Sequence, residues 1–210
     1  MNSGAWITLV ATAALLALVS RGSRLGEWIF KPLASTGFVL SALQHGATTT
    51  RFGQAVLAAL VLSWWGDVLL IPRAELSFLA GLGAFLLGHV GFAVAFVIRG
   101  VAWPVALGGL CLLAVPLWGV GRWLLPKVPA EMKLPVMAYM GVITVMVALS
   151  AGTYAAHGNA ILPLGAVCFY LSDLSVARDR FVAPGFANKA WGWPLYFGAQ
   201  LLAAYSLVAG

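Results

Sequence analysis

The sequence predicts an all-α, polytopic membrane protein: a single domain over residues 1–210, folded as one bundle of eight transmembrane helices. Hydrophobic residues make up 62% of the 210 positions and charged residues only 9%, whereas soluble domains carry about 25% charged residues. The apolar residues fall into eight runs, each near the roughly 20 residues that cross a bilayer as a helix. Helices are expected because backbone groups inside lipid must be satisfied within their own segment.

The connections between the runs are short and carry Gly, Pro, Arg and Lys, which leaves no stretch for a separate soluble domain. The first run has neither a positively charged start nor a small-residue cleavage site, so it is predicted to be a spanning helix rather than a cleaved signal. The predicted helices cover residues 5–20, 27–45, 53–70, 76–98, 102–120, 132–150, 158–177 and 190–208.

The charged loops predict the orientation of the bundle. Ten of the twelve basic residues lie in the loops after helices one, three, five and seven or at adjoining helix ends. The positive-inside rule places these loops in the cytoplasm and both termini on the non-cytoplasmic side. The net charge of +6 therefore reflects basic residues that orient the helices and contact lipid headgroups. It does not indicate a nucleic-acid partner. The ten residues are Arg21, Arg24, Lys31, Arg73, Arg122, Lys127, Lys133, Arg178, Arg180 and Lys189.

Two of the six acidic residues, Asp67 and Asp173, lie inside apolar runs. An Asp at the centre of a membrane helix costs about 2.5–3.5 kcal/mol on insertion scales, so it is usually paired or functional. The predicted orientation brings both carboxylates to a similar depth, toward the cytoplasmic leaflet. The structural alternative for Asp67 is a side chain near the helix end that reaches the membrane interface or forms an ion pair with Arg73, and that for Asp173 is an ion pair with Arg178.

Other polar side chains are candidates for a pocket at the same depth. Lys31 opens helix two, Asn188 opens helix eight, and Ser172 precedes Asp173. His89 in mid-helix is either a hydrogen-bonded packing residue or a ligand contact. Tyr196 and Gln200 share one face of helix eight and either bond helices together or line the pocket.

Metal and cofactor chemistry is not expected from these residues. His45, His89 and His157 are predicted at different depths, so they cannot share one tetrahedral site. The sequence has no His-Glu-x-x-His motif, no phosphate-binding loop and no Gly-x-Ser-x-Gly motif. We therefore predict no metal and no cofactor.

Five short motifs occur in order along the chain and together resemble one family. They are Lys31-Pro32, Gly66-Asp67-Val68-Leu69-Leu70, Phe85 with Gly88-His89, Gly165-Ala166 with Phe169 and Ser172-Asp173, and Tyr196 with Gln200. This set resembles the YhhN family of bacterial membrane proteins, which includes the animal transmembrane lysoplasmalogenases.

The resemblance implies an intramembrane hydrolase that cleaves the vinyl-ether bond of a lysophospholipid, with Asp67 and Asp173 as catalytic residues. Lys31, His89, Ser172, Asn188, Tyr196 and Gln200 are expected to contact the substrate. Members of the family often carry an aromatic hydroxyl shortly after the Gly-His motif, whereas this chain has Phe92 there. This is a departure from the family pattern, because phenylalanine has no hydroxyl to form a hydrogen bond at that point. The expected location is a bacterial plasma membrane, with the active site toward the cytoplasmic leaflet and membrane lipids as neighbours.

The residues also suit this chemistry without the resemblance. Hydrolysis of a vinyl ether needs one group to deliver a proton and another to stabilise the resulting cation and orient water, which two carboxyls can do. The alternative is a non-enzymatic small transporter or lipid-binding membrane protein that uses the two Asp residues as a proton relay.

Overall fold

The computed structural model describes residues 1–72 and 74–208, and the regular structure in them is helical. The helices are α1 Ser3–Val19, α2 Arg24–Gln44, α3 Arg51–Leu69, α4 Glu75–Arg99, α5 Trp103–Leu124, α6 Ala130–His157, α7 Ile161–Phe181 and α8 Phe186–Tyr205, with a 3₁₀ turn Leu125–Lys127 after α5. The predicted all-α class and the order of eight helices are confirmed.

Five of these helices, α3 to α7, are long and apolar enough to cross a membrane, α5 being counted to Lys127. The chain is therefore an integral membrane protein. α1 has only 17 residues, about 25 Å at 1.5 Å per residue. α2 and α8 have sufficient length but are less apolar, because they carry buried polar residues such as Lys31, Ser35 and Gln200. Eight spans and the side of the termini remain predictions.

The helices pack as neighbouring pairs that surround a shared interior. Consecutive helices contact each other as α1 with α2, α3 with α4, α5 with α6, and α7 with α8. α2 also packs against α3 and α8, while α6 packs against α4 and α7. α5 contacts mainly α6 and buries only Ala106 and Leu124. The interior is therefore enclosed by α2, α3, α4, α6, α7 and α8, while α1 and α5 lie at its flanks.

The helix ends follow from local sequence. Asn2, Ser23 and Thr50 cap α1, α2 and α3 by accepting hydrogen bonds from the backbone N–H groups three residues on. α6 continues well past the predicted end at residue 150, because the predicted length was set by bilayer thickness rather than by a stop signal. Gly158, with φ of 73°, ends it in the left-handed conformation that glycine adopts without strain.

α1 and α2 approach closely because glycine faces the neighbouring backbone. A Cβ atom added to Gly37 would lie 2.6 Å from the backbone N of Thr8, well inside van der Waals contact. At the same crossing the Thr8 hydroxyl donates to the Ala34 carbonyl at 2.9 Å. Small residues that allow such approach commonly stabilise helix pairs in membranes.

We predict that Gly37→Ala lowers the thermal stability of the purified protein, because the added methyl group must push α1 and α2 apart. Overpacking of this kind costs about 1–3 kcal/mol. Gly141→Ala in α6 is the matched control, since nothing lies within 4 Å of a Cβ at that position. Thermal unfolding in detergent should give a lower Tm for Gly37→Ala only; equal Tm values for both variants would contradict the prediction.

Candidate active site

Asp67 lies in the last turn of α3 and is fully buried among hydrogen-bond donors. The Lys31 Nζ atom lies 3.3 Å from Asp67 Oδ1. The Ser35 hydroxyl donates to Asp67 Oδ2 at 2.5 Å, and the Tyr196 hydroxyl donates to the same oxygen at 2.6 Å. Lys31 also donates to the Asp67 backbone carbonyl at 3.1 Å. The carboxyl group therefore faces one cation and two hydroxyls, an arrangement that suits a negative charge.

The sequence places these partners by simple helix geometry. Lys31 and Ser35 are four residues apart on α2, so both face α3. Gly66 precedes Asp67 and lets the Phe85 ring of α4 lie against α3, because a Cβ there would come within 2.6 Å of that ring. Tyr196 reaches the same point from α8. Asp67 thus joins α2, α3 and α8 at one buried position.

Asp173 in α7 has different surroundings. The Tyr139 hydroxyl donates to Asp173 Oδ2 at 2.8 Å, and His89 Nε2 lies 3.4 Å from the same oxygen without the alignment of a hydrogen bond. The Asp173 side chain keeps 18% of its surface exposed, against 2% for Asp67. Of the two carboxyl groups, Asp173 is therefore the one more open to the interior space.

The proton position on His89 follows from its partners. His89 Nδ1 lies 2.6 Å from the Phe85 carbonyl oxygen, and because a carbonyl only accepts, Nδ1 carries a hydrogen. In the neutral ring Nε2 then presents a lone pair toward Asp173 Oδ2. His89 Nε2 therefore lies beside the Asp173 carboxyl group without a hydrogen bond to it.

Aromatic rings pack around the side chains that contact the two carboxyl groups. The Phe169 ring lies 4.4 Å from the His89 ring and 5.3 Å from the Tyr196 ring, measured between centroids. Phe85 contacts Phe169 and Tyr196 edge to face. This packing fixes the orientation of the side chains that touch Asp67 and Asp173.

Asp67 and Asp173 line the same cavity, which has a volume of about 100 Å³. Most of its wall is apolar and comes from α4 to α8. Such a space holds several water molecules and admits part of an apolar chain. The polar members of the wall are Lys31, Asp67, Tyr139, Tyr170, Ser172, Asp173, Ser175 and Tyr196.

The other residues singled out from the sequence lie at various distances from this cavity. Ser172 lines it, while its hydroxyl donates to the Phe169 carbonyl at 2.7 Å. His89 lies behind Asp173 rather than in the wall. Gln200 is buried one turn beyond Tyr196, and neither of its amide atoms has a well-aligned hydrogen bond among the described residues. Asn188 lies outside the cavity and holds the connection between α7 and α8 through Arg178, Asp179 and the Ala183 carbonyl.

The two ion pairs considered as structural alternatives have different outcomes. Arg178 donates to the side chain of Asn188, and the polar contacts of Asp173 among the described residues are Tyr139 and His89. The pair of Asp67 with Arg73 involves a residue outside the described ones. Asp67 instead forms its ion pair with Lys31.

Sequence reasoning missed Ser35 and Tyr139. Ser35 had a usable signal, because it follows Lys31 by one helical turn. Tyr139 had none, since it comes from α6, outside every motif. Phe92, which follows the Gly-His motif, packs on Phe169. The aromatic hydroxyl that donates to Asp173 comes from Tyr139 instead.

Comparison with known proteins identifies the family. The model of the YhhN family matches residues 26–207. The chain belongs to the YhhN family. The lysoplasmalogenase of Mycobacterium tuberculosis is 29% identical over 209 residues, which cover 95% of this chain and 77% of that protein. Lysoplasmalogenase TMEM86A of Homo sapiens is 30% identical over 188 residues, covering 86% and 73% respectively. No solved structure matches the chain.

A shorter similarity involves a transporter. Cation-efflux pump FieF of Pectobacterium carotovorum is 36% identical over 84 residues, which cover 40% of this chain and 25% of the pump. Within residues 1–72 and 74–208, no three His, Cys, Asp or Glu side chains are grouped so as to hold a metal ion. A similarity over one quarter of the pump does not carry its activity to this YhhN protein.

The Lys31–Asp67 pair generates a prediction about stability. We predict that Lys31→Met lowers the free energy of unfolding by about 3–5 kcal/mol, because it leaves a buried carboxylate without its cation. The double variant Lys31→Met/Asp67→Asn should recover part of that loss, since the unpaired charge is gone. Thermal unfolding in detergent measures the difference.

Lys133→Met is the control for this prediction, because Lys133 lies in the exposed first turn of α6. It should leave Tm unchanged. A Lys31→Met variant as stable as wild type would show that the buried pair contributes nothing to the fold.

Proposed function

We propose that this protein is a lysoplasmalogenase, a hydrolase that cleaves the vinyl-ether bond of a lysoplasmalogen to a fatty aldehyde and a glycerophospho-headgroup. One observation carries the proposal: two carboxyl groups with unlike surroundings line one mostly apolar cavity inside a membrane protein. The names of its YhhN relatives agree with this chemistry.

The cavity fits a single-chain lipid. Its apolar wall, formed by residues such as Leu82, Leu124 and Val136, suits an alkenyl chain. Its polar side, around Asp67 and Asp173, suits the glycerol end where the vinyl ether lies. Burial of the chain along the apolar wall draws the substrate in, and the enclosed space limits the water that reaches the reactive bond.

Asp173 delivers the first proton. The Asp173 carboxyl transfers its proton to the outer alkene carbon of the substrate, which leaves an oxocarbenium ion at the carbon next to oxygen. Asp173 suits this role because it is the more exposed of the two carboxyl groups. His89 acts through Asp173 and is a positioning residue, and the Tyr139 hydroxyl fixes the reacting carboxyl group.

Asp67 stabilises the cation and directs water. Its negative charge is stabilised by Lys31, Ser35 and Tyr196, which lie 3.3, 2.5 and 2.6 Å from its carboxylate oxygens. A fixed negative charge in a low-dielectric space stabilises a developing positive charge strongly. Water adds to the cationic carbon, and its proton passes to Asp67.

Collapse of the hemiacetal completes the cycle. The hemiacetal hydroxyl gives its proton back to Asp173, the bond from that carbon to the glycerol oxygen breaks, and the glycerol oxygen takes the proton from Asp67. The aldehyde leaves with the oxygen atom of water, and both carboxyl groups return to their starting states. One water molecule is consumed for each bond cleaved.

The remaining candidate residues support this arrangement. Lys31, Ser172 and Tyr196 lie in the cavity wall near the bound lipid. Gln200 packs behind Tyr196, and Asn188 fixes the α7–α8 connection. The positive-inside rule supports a site toward the cytoplasmic leaflet, in a bacterial plasma membrane, with both termini outside.

The second candidate function is a non-enzymatic transporter or lipid-binding protein in which the two Asp residues relay protons. The observation that favours it is the pair of carboxyl groups inside the bundle, because embedded carboxylates also serve as proton relays in transporters. Purified protein incubated with a panel of lysolipids, followed by mass spectrometry, separates the two functions. Release of aldehyde and glycerophospho-headgroup supports the hydrolase; proton-coupled uptake into proteoliposomes without product supports the transporter.

We predict that Asp67→Asn and Asp173→Asn each lower kcat by about 10²- to 10⁴-fold, the usual contribution of a general acid or base. Glu131→Gln, an exposed acid in the first turn of α6, is the matched control and should keep full activity. Aldehyde release from a lysoplasmalogen measures all three. Full activity in either Asp variant, in protein that elutes as folded in detergent, rejects the catalytic roles.

Tyr139→Phe tests the hydrogen bond that orients Asp173. We predict a fall in kcat of about 10- to 100-fold, because Asp173 becomes negatively charged as its proton leaves, and a hydrogen bond to a charged group contributes about 1.5–3 kcal/mol. KM should change little, since the cavity keeps its shape. Tyr154→Phe, an exposed residue near the end of α6, is the control. A purely structural role for Tyr139 would instead lower Tm without this selective loss of kcat.

A further inference from the structure

A second space adjoins the catalytic cavity, and we call it the vestibule. It is bounded by the connection between α1 and α2, the start of α2, the end of α3, the end of α7 and the start of α8, and its volume is about 560 Å³. Six residues line both spaces: Lys31, Leu70, Phe78, Ser175, Val176 and Trp193. A molecule bound at Asp67 and Asp173 can therefore extend into the vestibule.

The vestibule wall is charged, unlike that of the cavity. It holds four cationic side chains, Arg24, Lys31, Arg180 and Lys189, and two acidic ones, Glu27 and Asp179. The positive charges exceed the negative ones, so the space favours an anion.

Three of these six charges are already in ion pairs. Lys31 pairs with Asp67, and Lys189 Nζ lies 3.1 Å from Glu27 Oε1. Asp179 Oδ1 accepts hydrogen bonds from the Gly185 backbone N at 2.8 Å and the Asn188 side chain at 2.9 Å, which hold that carboxylate at the α7–α8 connection. Two arginines and one carboxylate remain, so the vestibule keeps a net positive charge.

Arg24 and Arg180 remain without a carboxylate partner or a side-chain hydrogen bond in the described part of the chain. The Arg180 guanidinium lies 4.4 Å from the centre of the Phe78 ring, a stacking contact that holds the group in place while its N–H donors stay available. Arg24 lies in the first turn of α2, and Arg180 near the end of α7. Guanidinium groups bind phosphate oxygens with two parallel hydrogen bonds.

We propose that the vestibule binds the phosphodiester of the lysolipid headgroup through Arg24 and Arg180. The identity of the lipid rests on the proposed function. In such a lipid one glycerol unit separates the vinyl ether from the phosphate, and the two spaces meet at Lys31, whose Nζ atom contacts Asp67. The phosphate therefore selects the substrate. Glu27 and Asp179 already have other partners, so the ethanolamine or choline group has no carboxylate of its own.

The test compares a phosphate-bearing ligand with a neutral one. The ligands are a 1-alkyl-lysophospholipid and a 1-alkylglycerol of the same chain length, whose saturated ether bonds are not vinyl ethers, so binding is measured without turnover. Tryptophan fluorescence in nanodiscs follows binding, because Trp193 lines both spaces. The variants are Arg24→Gln, Arg180→Gln and the double variant; Arg21→Gln is the control, since Arg21 lies on the same side but does not line the vestibule.

Wild type should bind the phospholipid about tenfold or more tightly than the neutral lipid, each single variant should weaken phospholipid binding about tenfold, and the Kd of the neutral lipid should not change. Equal Kd values for both ligands in wild type overturn the proposal even if no variant folds. So does a loss that is the same for both ligands, or one that Arg21→Gln shares.

This measurement also separates failure of the site from failure of the proposed function. Selective binding of the phospholipid without aldehyde release from any lysoplasmalogen would support the phosphate site and reject the hydrolase. Aldehyde release from 1-alkenylglycerol at the same kcat/KM as from lysoplasmalogen would support the hydrolase and reject the phosphate site.

Discussion

The buried ion pair of Lys31 with Asp67 is the constraint on which the rest of the interior depends. Moving two charges out of water costs several kcal/mol per ion, and their attraction offsets this only when the other lone pairs and protons are also satisfied. Here Ser35 and Tyr196 complete the carboxylate, and the Asp67 carbonyl accepts from Lys31. Because these partners come from three helices, α2, α3 and α8 must meet at one point.

The two carboxyl groups are chemically unlike because their neighbours are unlike. Asp67 faces a cation and two hydroxyls, which favour the charged form. Asp173 faces one phenol hydroxyl and the Nε2 atom of His89, and no cation of Lys or Arg among the described residues. The proposed reaction needs one carboxyl group as a proton donor and the other as a fixed negative charge. Two identical Asp side chains can take these different roles because their neighbours differ.

Much of this interior could be read from the sequence, because membrane insertion penalises polar residues. Asp67, Asp173 and Lys31 are conspicuous in apolar runs, and the structure brings all three to one cavity wall. Tyr139 could not be found, since a tyrosine in an apolar helix carries no such penalty and its contact with Asp173 depends on how α6 packs against α7. The end of α6 was also missed, because a helix stops at a cap such as Gly158 rather than at the edge of the bilayer.

The arrangement of the two spaces follows from the same constraint. An amphiphile with its reactive bond beside the glycerol needs an apolar wall on one side of the catalytic groups and a charged space on the other. Lys31 lies at the junction and contacts Asp67, so its charge is already balanced. The uncompensated positive charge therefore lies farther out, at Arg24 and Arg180, where α2 begins and α7 ends. A bound phosphate there would leave Asp67 paired and its charge available for the oxocarbenium ion, so headgroup binding and catalysis do not compete for the same cation.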